Sequence, residues 1–135
     1  MRRPIMPKFL EYDCVYCGLS VRKANTLGKY CSNACQKKYE RRVAVESNTA
    51  SSKTVKKYIA ETVGYFCSEC GIDEWSGKKI VLELEHKSGN SEDNSLDNVC
   101  LLCPNCHSLT DTYKNKNKGN GRHSRRMRYA AGLSY

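Results

Sequence analysis

The sequence predicts a small α+β protein stapled by zinc, and three observations lead there. The chain has 135 residues, of which only 39% are hydrophobic, and its mean hydropathy is −0.68. So little apolar surface would struggle to offset the entropy of ordering a chain this size. Nine cysteines are present, and eight of them fall into four closely spaced pairs. Short helical and strand patterns alternate around those pairs, with no long repeat. Residues 1–13 lack the apolar run of a secretory leader, and no stretch approaches the roughly 18 apolar residues of a membrane span. An intracellular protein with reduced thiols is expected, and metal is favoured over disulfide.

The first unit is placed at residues 1–46. Cys14-x2-Cys17 and Cys31-x3-Cys35 stand thirteen residues apart, and Gly18, Asn25, Gly28 and Lys29 between them suit a knuckle followed by a short hairpin. The run after Cys31, SNACQKKYERRVAVE, has no Gly or Pro and reads as a helix with Ser32 near its cap. A knuckle pair and a pair at a helix start form a treble-clef arrangement. Four thiolates close the coordination sphere, so this zinc is expected to be structural. Lys37, Lys38, Arg41 and Arg42 on the helix are candidate DNA contacts. Residues 47–52, SNTASS, read as a polar linker.

The second unit is placed at residues 53–121. KTVKKYIAETVGYF sets Val55, Ile59 and Val63 four apart, a helical stripe of core packing. Cys67-x2-Cys70-Gly71 is a knuckle whose partner, Cys103-x2-Cys106, follows after thirty-two residues. These four cysteines make the second zinc site, and Cys100, left over, reads as a small buried hydrophobe. A hairpin is expected over 75–86, and Pro104 opens a short helix at the last cysteines. Neighbouring strand residues point to opposite faces, so Glu85 and His86 can share a site only if the strand ends there. Asp111, one turn after His107, is expected on the same helical face.

Charge gives the last element. The formal net charge is +9, which two Zn²⁺ bound by eight thiolates would reduce to roughly +5. From 114 to 128 there are seven Lys or Arg and no acid. Lys114, Lys116, Lys118, Arg122, Arg125, Arg126 and Arg128 are therefore candidate phosphate contacts. The tail, 122–135, lacks apolar periodicity until its end and is expected to be poorly structured without nucleic acid.

The constellation Glu85-His86, Asn98 and Cys106-His107, set in LEH…N…LLCPNCH, resembles the HNH or ββα-metal endonucleases. It resembles in particular their zinc-stapled branch and the small free-standing HNH proteins of bacteriophages. The resemblance implies that His86 is the general base and that Glu85 and His107 hold a catalytic Mg²⁺ or Mn²⁺. It implies that Asn98 fixes the loop aiming His86. Where many members carry Asp before the base, this chain carries Glu85.

The chemistry agrees with those roles. Phosphodiester hydrolysis needs a group that takes a proton from water, and an imidazole with an ordinary pKa of about 6.5 can do so near neutrality. It also needs positive charge beside the leaving oxygen, which a divalent ion held by few protein ligands supplies. The expected function is a homing-type DNA endonuclease acting on duplex DNA, leaving 5′-phosphate and 3′-hydroxyl ends. Two alternatives stay open: a zinc-stapled nucleic-acid-binding regulator without turnover, and a nuclease for RNA or branched DNA.

Overall fold

The computed structural model describes residues 7–118 and 123–133. The chain divides into two compact units between Val43 and Ala44. In the first, β1 (Phe9–Asp13) pairs antiparallel with β2 (Ser20–Ala24), setting Phe9 opposite Ala24 and Asp13 opposite Ser20. The turn between them is the first cysteine knuckle, closed by Cys14 N–H to Leu19 carbonyl at 2.9 Å and Gly18 N–H to Cys14 carbonyl at 2.8 Å. The hairpin expected after the knuckle is thus replaced by one that contains it. FLEYD and SVRKA pair across the knuckle, whereas the chain beyond them turns away at Asn25, whose φ is 58°. Helix α1 (Asn33–Glu46) begins as predicted, with Ser32 Oγ accepting the Cys35 N–H at 3.2 Å.

The second unit opens with the last residues of α1. Val45, Ala50, Val55 and Val99 form a buried cluster, with Tyr58, Ile59 and Leu84 packed against it. Residues 47–52 are a tight turn rather than a free spacer: the N–H groups of Thr49 and Ala50 both bond to the Ala44 carbonyl, and Ala50 is buried. Ser51 caps α2 (Ser52–Thr62), accepting the Thr54 N–H at 3.3 Å. The predicted stripe is shorter than its spacing suggests. Val55 is fully buried, but Val63 lies past the helix end and is 68% exposed, because Gly64 turns the chain at φ 129°.

The hairpin expected over 75–86 is corrected. A two-residue turn, Ser76 and Gly77, both at positive φ, joins β3 (Glu74–Trp75) only to β4 (Lys78–Lys79). Strand β5 (Glu83–His86) instead pairs antiparallel with β6 (Val99–Leu102), His86 opposite Val99 and Glu85 opposite Cys100. Between β4 and β5 the backbone finds side chains: Tyr65 Oη donates to Ile80 carbonyl at 2.9 Å and accepts Leu82 N–H at 3.1 Å. Lys56 Nζ donates to the Leu82 carbonyl. The apolar run IVL therefore bends inward at fully buried Leu82 and does not continue as a ladder.

Helix α3 (Pro104–Leu109) follows β6 directly, with Cys103 as its cap and Pro104 in its first turn. It ends at Thr110, whose ψ is 152°, so Asp111 leaves the helix and does not share the His107 face as expected. A 3-10 turn (Lys114–Asn117) and α4 (His123–Ala130) complete the unit. That tail helix corrects the expectation of a poorly structured segment. SRRMRYAA holds no Gly or Pro and is rich in good helix formers, and the Glu92 carboxylate accepts the Ser124 N–H at 2.9 Å at the helix start.

The larger core of this unit is small: Cys67, Leu82, Leu101, Leu102 and Cys103, each at most 2% exposed. Burying a leucine contributes about 1.5–3 kcal/mol, whereas a structural zinc contributes about 10–16 kcal/mol in small finger peptides. Zinc held by the cysteines would therefore stabilise this unit more than its three buried leucines do together.

Candidate active site

The eight paired cysteines gather into two tetrads, Cys14, Cys17, Cys31, Cys35 and Cys67, Cys70, Cys103, Cys106, each with its sulfurs within 4.8 Å of one another. Tetrahedral zinc with Zn–S bonds of roughly 2.3 Å sets its sulfurs roughly 3.8 Å apart. The separations of 3.6 Å for Cys17 and Cys31, 3.4 Å for Cys31 and Cys35, and 3.7 Å for Cys70 and Cys103 match that and are far from a disulfide. Both tetrads can hold zinc. Each knuckle ends in a glycine at left-handed φ, Gly18 at 73° and Gly71 at 75°. That conformation turns backbone N–H groups toward sulfur at little strain. Burial raises the Cys67 thiol, but N–H donors of Cys70, Cys103 and Glu69 outweigh it and hold the group at about 6. Cys14 is likewise held at about 6, against burial, by backbone at Cys17, Cys31 and Tyr16. Cys100 is half-buried on β6, where burial pushes its thiol up.

The second tetrad fixes what lies beside it. Cys103 follows β6 as the cap of α3 and Cys106 sits in the first turn of that helix, so a metal there would pin α3 to the knuckle, and His107, the next residue, meets β5. Glu83 and Glu85 point to one face of β5 by strand alternation and meet it. His107 Nε2 lies 3.0 Å from Glu85 Oε2, while Nδ1 contacts Glu83 Oε2. The Tyr113 ring packs edge-on against the imidazole at 5.1 Å between centroids. Glu85 is only 6% exposed. A carboxylate so deeply placed needs partners, and Thr112 Oγ1 donates to its other oxygen.

His86 stands at the end of β5. Lys87 N–H still bonds to the Asn98 carbonyl at 2.8 Å, after which Gly89, at φ 75°, turns the chain back with its N–H on the His86 carbonyl. Any side chain at 89 would collide with Asn117, whose Nδ2 donates to the Gly89 carbonyl at 2.8 Å. Glu85, His86, His107, Thr112 and Asn117 all line one cleft of about 150 Å³. Asn98 spans the loop above it: Oδ1 accepts the Ser88 N–H at 3.0 Å and Nδ2 donates to the Asp93 carbonyl at 2.8 Å.

Two ligands at right angles on an ion with bonds of roughly 2.1 Å stand roughly 3 Å apart. The 3.0 Å between His107 Nε2 and Glu85 Oε2 fits that pair, and the mixed oxygen and nitrogen donors suit a hard or borderline divalent ion such as Mn²⁺.

Against known proteins, the chain is 57% identical over 53 residues to the H-N-H endonuclease F-TflIV of Escherichia phage T5, covering 39% of this chain and 23% of that protein. That stretch is similar to an HNH endonuclease. The chain is also 34% identical over 55 residues to the Zorya protein ZorE of Escherichia coli, covering 41% of this chain and 15% of the relative. It thus spans less than a quarter of the length of these relatives. No family model matches the chain, and no solved structure does.

Around Glu85, His86 and His107 the sequence alone misses three side chains that the fold brings in: Asn94, Thr112 and Asn117. Glu83 carries a signal, because it alternates with Glu85 on the strand, yet a solvated strand residue looks the same in sequence. Asn94, Thr112 and Asn117 sit in irregular polar stretches without periodicity, so nothing marks them in advance.

The candidate nucleic-acid contacts are mixed in setting. Lys37 and Lys38 are exposed on α1, while Arg42 stacks over Tyr39 at 5.3 Å and Tyr16 at 5.7 Å. Arg41 is half-buried on the same helix. Lys114 lies over the Tyr113 ring at 4.9 Å. Lys116 Nζ donates to the Thr110 carbonyl at 3.2 Å, at the carboxyl end of α3, which gives it a structural task. Lys118 is exposed, and Arg125, Arg126 and Arg128 are exposed on α4. Arg122 lies outside the described residues. Among the described residues no helix is long and apolar enough to cross a membrane.

Proposed function

We propose that this chain is a metal-dependent HNH endonuclease that hydrolyses DNA, with His86 as general base and Glu85 and His107 as the ligands of one Mg²⁺ or Mn²⁺. The observation that carries it is the convergence of Glu85, His86 and His107 on one cleft, although Glu85 and His86 are strand neighbours. The strand's end at His86 makes that possible. Similarity to a protein named an H-N-H endonuclease supports the same reading.

In this reading His86 takes a proton from water beside the phosphate, and Asn98, bridging Ser88 and Asp93, holds the loop that aims it. Glu85 and His107 present one oxygen and one nitrogen, leaving the rest of an ion's positions to water and phosphate oxygens. A divalent ion bound there supplies positive charge to the phosphate and its leaving oxygen. The products would carry 5′-phosphate and 3′-hydroxyl ends. β5, β6 and α3 serve as the ββα-metal unit within residues 53–121. Residues 1–46 serve as a treble-clef zinc finger, joined by 47–52, and 122–135 as a basic tail. Duplex DNA is the proposed partner, held by Lys37, Lys38, Arg41 and Arg42 together with the basic residues from Lys114 to Arg128. End-labelling and sequencing of cleaved DNA tests the reaction: 3′-phosphate ends would contradict it.

Two further outcomes are expected. Because the Glu83 carboxylate can only accept from His107 Nδ1, it leaves Nε2 free for metal, so Glu83→Ala should weaken Mn²⁺ binding by about 10- to 100-fold in calorimetry. Zinc content should not change. For DNA affinity, a plot of log K against log salt should be steep, with roughly 0.9 lost from the slope per phosphate contact removed. Joint replacement of Arg125, Arg126 and Arg128 by alanine should flatten it, and an unaltered slope would exclude α4 from the interface.

A further inference from the structure

His86 has a partner that neither its sequence neighbours nor the proposed mechanism supplies. Its Nε2 lies 2.9 Å from Oδ1 of Asn94, eight residues on in the loop after β5. Which atom donates is settled by the rest of the Asn94 amide. Nδ2 faces the Ala50 carbonyl at 3.0 Å, and a carbonyl can only accept, so this end of the amide is the nitrogen. The other end is then the oxygen, and Ser52 Oγ donates to it at 3.0 Å. An amide oxygen cannot donate, so the hydrogen in the contact with His86 belongs to Nε2. A neutral imidazole with its hydrogen on Nε2 has its lone pair on Nδ1.

We propose that Asn94 is a positioning residue that holds neutral His86 as the Nε2–H tautomer and leaves Nδ1 as the atom that takes the proton from water. The inference rests on the nuclease reading for its catalytic meaning, but the tautomer itself does not. Asn94 is in turn anchored at the turn between α1 and α2, through Ala50 and Ser52, so the orientation of the base is set by the helical layer and not by the loop alone. Asn98 and Asn94 then divide the work: one shapes the loop backbone, the other sets the ring.

The test uses the zinc-loaded full chain. Nitrogen-resolved NMR of the imidazoles at a pH where His86 is neutral should show Nε2 protonated and Nδ1 bare in the wild type. Asn94→Leu, which keeps the branching and the number of heavy atoms of the side chain and removes the acceptor, should give a mixture of tautomers. Asn94→Asp, which still accepts from Nε2–H, should keep the wild-type pattern. In DNA cleavage, Asn94→Leu should lower kcat by about 10- to 100-fold with KM unchanged, and Asn94→Asp should recover part of the loss. A wild-type His86 protonated on Nδ1, or a tautomer indifferent to Asn94→Leu, overturns the proposal. If the wild type cleaves nothing, the nuclease reading fails, while the NMR result still decides the tautomer.

Discussion

Replacing His86 by alanine is expected to slow DNA cleavage by about 10²- to 10⁴-fold, the usual cost of losing a positioned general base, while DNA affinity stays intact. The separation follows from where the side chain sits. His86 lines the cleft with Glu85 and His107, whereas the basic groups proposed to hold phosphate lie on α1, α4 and the turn after α3. Its removal leaves the Glu85 and His107 pair, and therefore metal binding, in place. Single-turnover cleavage and filter binding measured on one preparation check both halves. Equal loss of binding and cleavage would mean that His86 supports the fold and not the reaction.

Removing the second zinc is expected to unfold the residues that carry the site. Cys103→Ala deletes a thiolate and also the acceptor for the Cys106 N–H at the start of α3. Since a structural zinc outweighs a handful of buried leucines, circular dichroism should show loss of structure together with loss of one zinc by elemental analysis. Acid should act on the same bonds. Protons compete with the metal for thiolates, so zinc content should fall as the pH is lowered into the acid range. Zinc content that stays the same however far the pH is lowered would contradict this.

Much of this was legible in the residues because zinc ligands leave a spacing that tolerates little variation. Both tetrads, the Ser32 cap of α1, the Pro104 start of α3 and the small α+β class follow from such local constraints. Strand pairing was not legible in the same way. The run KKIVLELEH reads as one continuous strand, and only Tyr65 and Lys56, far earlier in the chain, show why Ile80 and Leu82 bond to side chains while β5 pairs with β6. The ordered tail helix depends similarly on Glu92, thirty-two positions before Ser124. In the cleft, the motif residues could be marked in advance because their order is dense in chemistry. Asn94 and Thr112 could not, since a polar residue in a loop shows its partner only in three dimensions.

The most direct measurement is cleavage of supercoiled plasmid DNA by the zinc-loaded protein, with and without added Mg²⁺ or Mn²⁺, beside Glu85→Ala and His107→Ala. The wild type should convert plasmid only when the divalent ion is added, and both variants should retain zinc and DNA binding yet fail to cut. Cleavage that persists in those variants, or a wild type that binds DNA and cuts it with neither ion, would contradict a catalytic metal held by Glu85 and His107 beside His86.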